Sequence, residues 1–291
     1  MTKILLTGTT GQVGQELQQT LASLGEVIGV GRQELDLSQP EQIRVIVAET
    51  KPDIIVNAAA YTAVDKSETE IELAMAINAT APKVIAEAAQ AIDAAVVHIS
   101  TDYVFNGQNH TPYTEVDQTD PLGVYGQSKL LGEVGVRENC DRNIILRTAW
   151  VYGSRGHGNF VKTMLRLGAE KAELRVVADQ IGSPTWSYDI ARAISQLLSR
   201  PFVKETYHFT NSGVASWYDF AVAIFAEARQ LGFPLKIERV LPITTAEYPT
   251  PTQRPAYSVL SKVKIVEALG EHPPHWRESL RKMLIQLHSL K

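Results

Sequence analysis

Tyr125 and Lys129 form the only Tyr-x-x-x-Lys pair in the chain, and upstream of them Gly8, Gly11 and Gly14 follow directly on an apolar run. A helix advances about 100° per residue, so side chains four apart share a face, about 6 Å apart along the axis. A phenol and an ammonium on one face can hand over a proton and stabilise the charge left behind. A glycine turn opening a helix can hold the pyrophosphate of a dinucleotide. Together they point to a nicotinamide-dependent oxidoreductase that works on a carbonyl or an alcohol.

Within the glycine series, Gly8 serves the tight turn and Gly11 the close approach of backbone to pyrophosphate. Gln12 and Val13 open the helix, and Gly14 lets it pack on the sheet. Cofactor choice turns on the end of the second strand, which reads Gly31-Arg32 with no acid at its tip. Arg32 can accept a 2′-phosphate through charge-assisted hydrogen bonds. Glu34 and Asp36 lie at the distance of a ribose-binding acid, but Asp36 opens Asp36-Leu37-Ser38, which fits a loop passing the adenine. NADPH is expected, with NADH the alternative. After the third strand, Ala58, Ala59 and Ala60 leave room for a cofactor beside the backbone. Asn78, inside a helical stretch, either stabilises a bend or water chain near the site or bonds locally.

Thr101 ends the fourth apolar run, where ligands of open parallel sheets bind, and is the candidate hydrogen-bond donor to a substrate carbonyl. His98, just before it, is expected to pack inside. No His, Cys and Asp cluster has ligand spacing, so no metal is expected. Tyr125 would act as general acid or base. A cation about 4 Å from its phenolate, at an effective dielectric near 20, is worth about 4 kcal/mol, or about three pKa units. Lys129 is expected to supply that shift, helped by the oxidised nicotinamide.

The elements that must position these groups alternate. Apolar runs at 3–7, 26–30, 53–57, 95–100 and 143–147 predict strands, and 11–24, 40–51, 68–93 and 122–139 predict helices, with Ser38 capping the second. This is a Rossmann-type α/β fold, a doubly wound parallel sheet. After residue 150 the rhythm breaks. A glycine-rich loop at 151–158 precedes helices at 159–171, 186–199 and 216–231, strands at 173–177 and 206–209, an extended stretch at 241–255 and helices at 261–269 and 276–290. Residues 1–150 are read as the dinucleotide-binding domain, with a return segment near 185–211. Residues 151–184 and 212–291 are read as a smaller substrate-binding domain.

Net charge is −4, which supplies no global field for nucleic acid or anionic membrane. The opening apolar run is too short for a signal peptide, and no stretch reaches the roughly 20 apolar residues of a membrane span. The single cysteine, Cys140, fits a reducing compartment, so the expected location is the cytoplasm.

The motifs resemble the extended short-chain dehydrogenase/reductase superfamily, and within it the dTDP-4-dehydrorhamnose reductase family, over nearly the whole length. The matching stretches are Gly8–Gly14, 52–60, 62–66, 100–105 (S-T-D-Y-V-F), 121–129, 147–152, 159–160, 179–185, 248–251 and Arg254-Pro255. The resemblance implies nicotinamide-dependent reduction of a dTDP-linked 4-keto-6-deoxy sugar, with Thr101, Tyr125 and Lys129 catalytic. It implies nucleotide contacts at Gly11, Gln12, Val13, Asp36, Leu37, Ala60, Tyr61 and Thr62, and sugar contacts at Thr101, Asp102 and Trp150. Trp150 would lay its aromatic face on the sugar's methyl side, and Arg254 would meet the dTDP pyrophosphate. Two departures stand out: Tyr61 replaces a histidine common in relatives, and Gly31-Arg32 replaces an acid. Some members form metal-bridged dimers through carboxylates. Here Glu16 is present but Tyr188 stands where a partner acid would be, so no such metal is expected, and a homodimer is left open. Two alternatives remain at this point: another nucleotide-sugar epimerase or reductase of the superfamily, or a non-catalytic regulatory subunit of methionine adenosyltransferase.

Overall fold

A computed structural model describes residues 1–290. Strands β1 (Lys3–Thr7), β2 (Glu26–Val30), β3 (Ile54–Asn57), β4 (Ala95–Thr101) and β5 (Asn143–Thr148) join Glu205–His208 in one six-stranded sheet. Every pairing is parallel, and the order is Glu205–His208, β5, β4, β3, β1, β2. The chain reverses its direction of travel at β1 and β3, whose last residues, Thr7 and Asn57, pair in register. A crevice opens beyond the carboxyl ends of strands at such a switch point.

Alternation along the strands feeds two apolar layers. Ile4 and Leu6 pack with Leu17 and Leu21 from α1 (Gln12–Thr20) and its following turn, and with Ile190, Ile194 and Leu197 from Ser187–Leu198. Leu5 and Ile55 face the other way, onto Ile43 and Val47 of α2 (Pro40–Thr50) and onto Val84 and Ile85. All six residues of β5 are buried, as a strand covered on both faces requires. Beyond β5, helices Phe160–Glu170, Trp217–Gln230 and Trp276–Ser289 enclose a separate core around Val161, Met164, Phe220, Phe225, Leu280 and Met283.

Several local readings of the sequence need correction. Ser38 does not cap α2: its hydroxyl donates to the Asp36 carboxylate (2.8 Å), and Gln39 occupies the cap without a side-chain bond. The single helix expected at 68–93 runs from α4 (Ile71–Met75) through a π turn at Ala76–Thr80 into α5 (Ala81–Gln90), and a separate short helix, α3 (Val64–Ser67), precedes it. The loop expected at 151–158 begins with a short strand, Val151–Tyr152, paired in parallel with Thr185–Trp186. The stretch expected to be extended at 241–255 begins inside a strand, Arg239–Ile243, paired in parallel with Glu173–Val177, and departs from extension at the helical turn Thr245–Glu247.

Candidate active site

A cavity of about 770 Å³ opens beyond the carboxyl ends of β1, β3, β4 and β5. Gly14, Glu34 and Asn78 do not line it. A Cβ at Gly14 would fall 2.0 Å from the Gly8 carbonyl oxygen, so that glycine seats α1 against the strand–helix turn. Gly8 itself has φ 74°, the left-handed region open to glycine, and a Cβ there would meet the Ala59 backbone at 2.7 Å. Gly11 caps α1 in extended conformation with no side-chain bond. The first N–H groups of that helix therefore face the cavity without a side chain over them, which suits an anionic pyrophosphate.

At the adenosine end, Arg32 is exposed on the cavity rim. Glu34 turns back, its carboxylate accepting from the Gly31 N–H at 2.8 Å. Asp36 is held by Ser38, whose backbone and hydroxyl lower its pKa, with Arg32 adding to the effect. Tyr61 and Thr62 follow the alanines of the β3 loop. The Tyr61 hydroxyl donates to Glu70 (2.7 Å), and burial followed by that carboxylate raises its pKa to about 12.

Asn78 lies in the π turn, and its side chain does not bond locally. Its Oδ1 accepts from Tyr61 N (2.8 Å) while its Nδ2 donates to Tyr61 O (3.0 Å) and Ser128 Oγ (3.1 Å). The wider turn projects one buried amide that ties the β3 loop to α6 (Val124–Asn139). Glu68 answers the first N–H of α6 at 3.1 Å, placing a negative charge at its positive end.

Tyr125 and Lys129 sit on the first turns of α6, both buried and both facing the cavity. The ammonium of Lys129 is turned back toward β4. It donates to the Ile99 carbonyl at 2.6 Å and lies 3.3 Å from His98 Nε2. His98 is indeed inside, and burial, then Lys129, hold its pKa well below the ordinary histidine value, so it stays neutral. Burial lowers Lys129 to about 8 against the pull of Glu133 one turn on.

The expected depression of the Tyr125 pKa does not occur. Burial pushes it above its ordinary value, Asp102 and Tyr103 add to the rise, and only the Thr101 hydroxyl opposes it. Desolvation exceeds the field of a lysine already engaged by a carbonyl. The phenol therefore keeps its proton at neutral pH, the state that a donor to a carbonyl oxygen needs. Thr101 closes β4 and donates to Asp102 Oδ1 at 3.0 Å. Asp102 is 2 % exposed, its Oδ2 has no hydrogen-bond partner, and burial raises its pKa to about 6.

The far wall is aromatic. Trp150 has φ 48°, a strained left-handed conformation for an indole residue, and stacks on Trp217 at 3.5 Å between ring centroids, 4° from parallel. Trp217 thus covers one face of the indole expected to receive a sugar methyl, and Gly182 packs against the same ring, where a Cβ would fall 2.5 Å from it. Arg254 reaches the cavity from the C-terminal part of the chain. Its guanidinium donates to the Tyr103 hydroxyl and to Asp65, both at 3.0 Å, so it is a fixed cation.

The model of the RmlD substrate binding domain family matches residues 1–289. The chain belongs to that family. It is 46% identical to the dTDP-4-dehydrorhamnose reductase of Escherichia coli (strain K12), over 98% of this chain and 97% of that protein. The solved dTDP-4-dehydrorhamnose reductase of Bacillus anthracis, in complex with NADP, superposes with a TM-score of 0.92 at 39% identity, covering 98% of this chain and all of that one. The Clostridium acetobutylicum dTDP-4-dehydrorhamnose reductase superposes with a TM-score of 0.91 at 42% identity, covering 98% and 99%.

In this member of the RmlD family, Glu16 is buried and its Oε1 lies 3.8 Å from Arg155 Nε, beyond hydrogen-bond distance. The Tyr188 ring packs against Trp186. Among the described residues, no group of three or more His, Cys, Asp or Glu side chains is arranged to hold a metal, and no helix is long and apolar enough to cross a membrane. Sequence reasoning missed Trp217 and Tyr103 at the cavity, the pairing of Asp65 with Arg254, and the contact of His98 with Lys129. Only Trp217 carried a local signal: it opens a helix with a Ser216–Asp219 capping box, which placed the helix but not the ring.

Proposed function

We propose that this chain reduces the C4 ketone of dTDP-4-dehydro-β-L-rhamnose to dTDP-β-L-rhamnose with NADPH. The observation that carries the reading is the convergence of a bare helix N-terminus, a protonated Tyr125, Thr101 and Lys129 on one cavity, in a chain 46% identical to a dTDP-4-dehydrorhamnose reductase. The bound nicotinamide would supply the hydride. Residues 1–150 with 185–211 would hold the cofactor, and 151–184 with 212–291 would hold the sugar nucleotide.

In this reading Tyr125 gives its proton to the ketone oxygen, Thr101 stabilises the developing negative charge, and Lys129 holds the nicotinamide ribose. Trp150 and Asp102 bound the sugar, and Arg254, already oriented by Asp65 and Tyr103, faces the diphosphate. Binding energy from the nucleotide then positions the ketone for reaction. The test is consumption of NADPH by the purified protein with that ketosugar, run beside an active control enzyme. Failure to turn over while the control does would defeat the assignment.

Arg32 is the cation proposed to select the 2′-phosphate. A hydrogen bond to a charged group is worth about 1.5–3 kcal/mol. Arg32→Ala is therefore expected to raise the KM for NADPH about ten- to a hundred-fold while leaving that for NADH within a few-fold. Equal effects on both cofactors would remove Arg32 from this role.

A further inference from the structure

A hydroxyl has one proton to give and two lone pairs to receive with. The proton of Thr101 goes to Asp102 Oδ1 at 3.0 Å, and one lone pair of Thr101 accepts from Tyr103 N at 3.2 Å. As long as Asp102 is a carboxylate, Thr101 has nothing to donate to a ketone. If Thr101 turned to the ketone instead, it would strip a donor from a buried carboxylate whose other oxygen already has no partner. Both tasks are met at once if the proton between the two side chains comes from Asp102.

We propose that Asp102 takes up a proton when the ketosugar enters, so that it donates to Thr101 and frees the Thr101 hydroxyl for the ketone oxygen. The inference rests on the reductase reading above. It makes Asp102 a positioning residue that acts through Thr101, in addition to any contact of its own with the sugar.

Burial favours the neutral acid, whereas Ser258 of the C-terminal segment, Thr101 and the backbone of its own turn favour the carboxylate. Tyr103 and Tyr125, both protonated phenols, face Asp102 from its own turn and from α6. The nearby cations are engaged elsewhere: Lys129 with the Ile99 carbonyl, and Arg254 with Asp65 and Tyr103. Burial already raises the Asp102 pKa to about 6. A ligand that displaces water and brings a diphosphate raises a buried carboxyl further.

The experiment is a calorimetric titration of the ketosugar into the protein saturated with NADP⁺, which cannot reduce it, in buffers of different ionisation heat. Near pH 7.5 the wild type is expected to take up on the order of half a proton or more per sugar bound, and Asp102→Asn close to none. A second measurement needs no variant: wild-type affinity should weaken by up to about ten-fold per pH unit between about 6.5 and 8. Equal proton uptake in Asp102→Asn, or no uptake with a flat wild-type affinity, overturns the inference. NADPH consumption by the same preparation separates the two levels. Reduction without proton uptake sinks only this proposal, whereas no reduction sinks the reading beneath it.

Discussion

Tyr125→Phe is expected to lower kcat by about a hundred- to ten-thousand-fold, the range typical of losing a positioned general acid. The ring is held by an edge-to-face contact with Tyr103 (5.4 Å, 80°) and is 9 % exposed, so phenylalanine fills the same space. What is lost is the hydroxyl beside Thr101. In the proposed reading the nucleotide is held elsewhere, by the Gly8–Gly11 turn and the start of α1, so the dissociation constant for NADPH should stay within a few-fold. Stopped-flow measurement of NADPH consumption and a fluorescence titration of NADPH read the two quantities separately. A kcat within about ten-fold of wild type would mean that another group protonates the oxygen.

The second large effect concerns stability. Directly behind Lys129 on α6, the fully buried Glu133 accepts from Ser100 Oγ (2.6 Å), Arg147 Nε (2.9 Å) and a second Arg147 nitrogen (2.7 Å). Arg147 in turn lies over the Phe105 ring and beside His208, which burial and the guanidinium hold at about 3 and hence neutral. Removing one partner of such a pair leaves a buried charge and costs about 3–5 kcal/mol. Arg147→Met should therefore lower Tm by on the order of 10 °C. Replacing both, as Glu133→Leu with Arg147→Met, should recover most of that loss, because well-packed apolar groups can match a buried ion pair. Differential scanning calorimetry of the four members of the cycle tests this. A double variant no more stable than Arg147→Met would show that the pair does more than neutralise itself.

Much of the site could be read from local pattern because its signals are short-range. Gly8, Gly11 and Gly14 act through backbone space within one turn, and Tyr125 and Lys129 through the pitch of one helix. The strand ends followed from runs such as Ile54–Asn57, which must be apolar because both faces of the sheet are covered. Asn78 shows where this stops. An asparagine in a helical stretch reads as a local oddity, whereas its partners are Tyr61 and Ser128, 17 and 50 residues away. Trp217 is 67 residues from Trp150, and nothing in either neighbourhood says that the rings stack.

By itself the sequence determined the doubly wound sheet, the glycine turn and the pairing of Tyr125 with Lys129 on one helix, since each follows from spacing within a single strand, turn or helix. Only the tertiary structure decided the charge states. Burial holds the proton on Tyr125, draws the Lys129 ammonium to the Ile99 carbonyl and lifts Asp102 toward neutrality. Those outcomes depend on how much water surrounds each group and which dipoles replace it, and these are set by segments far apart in the chain.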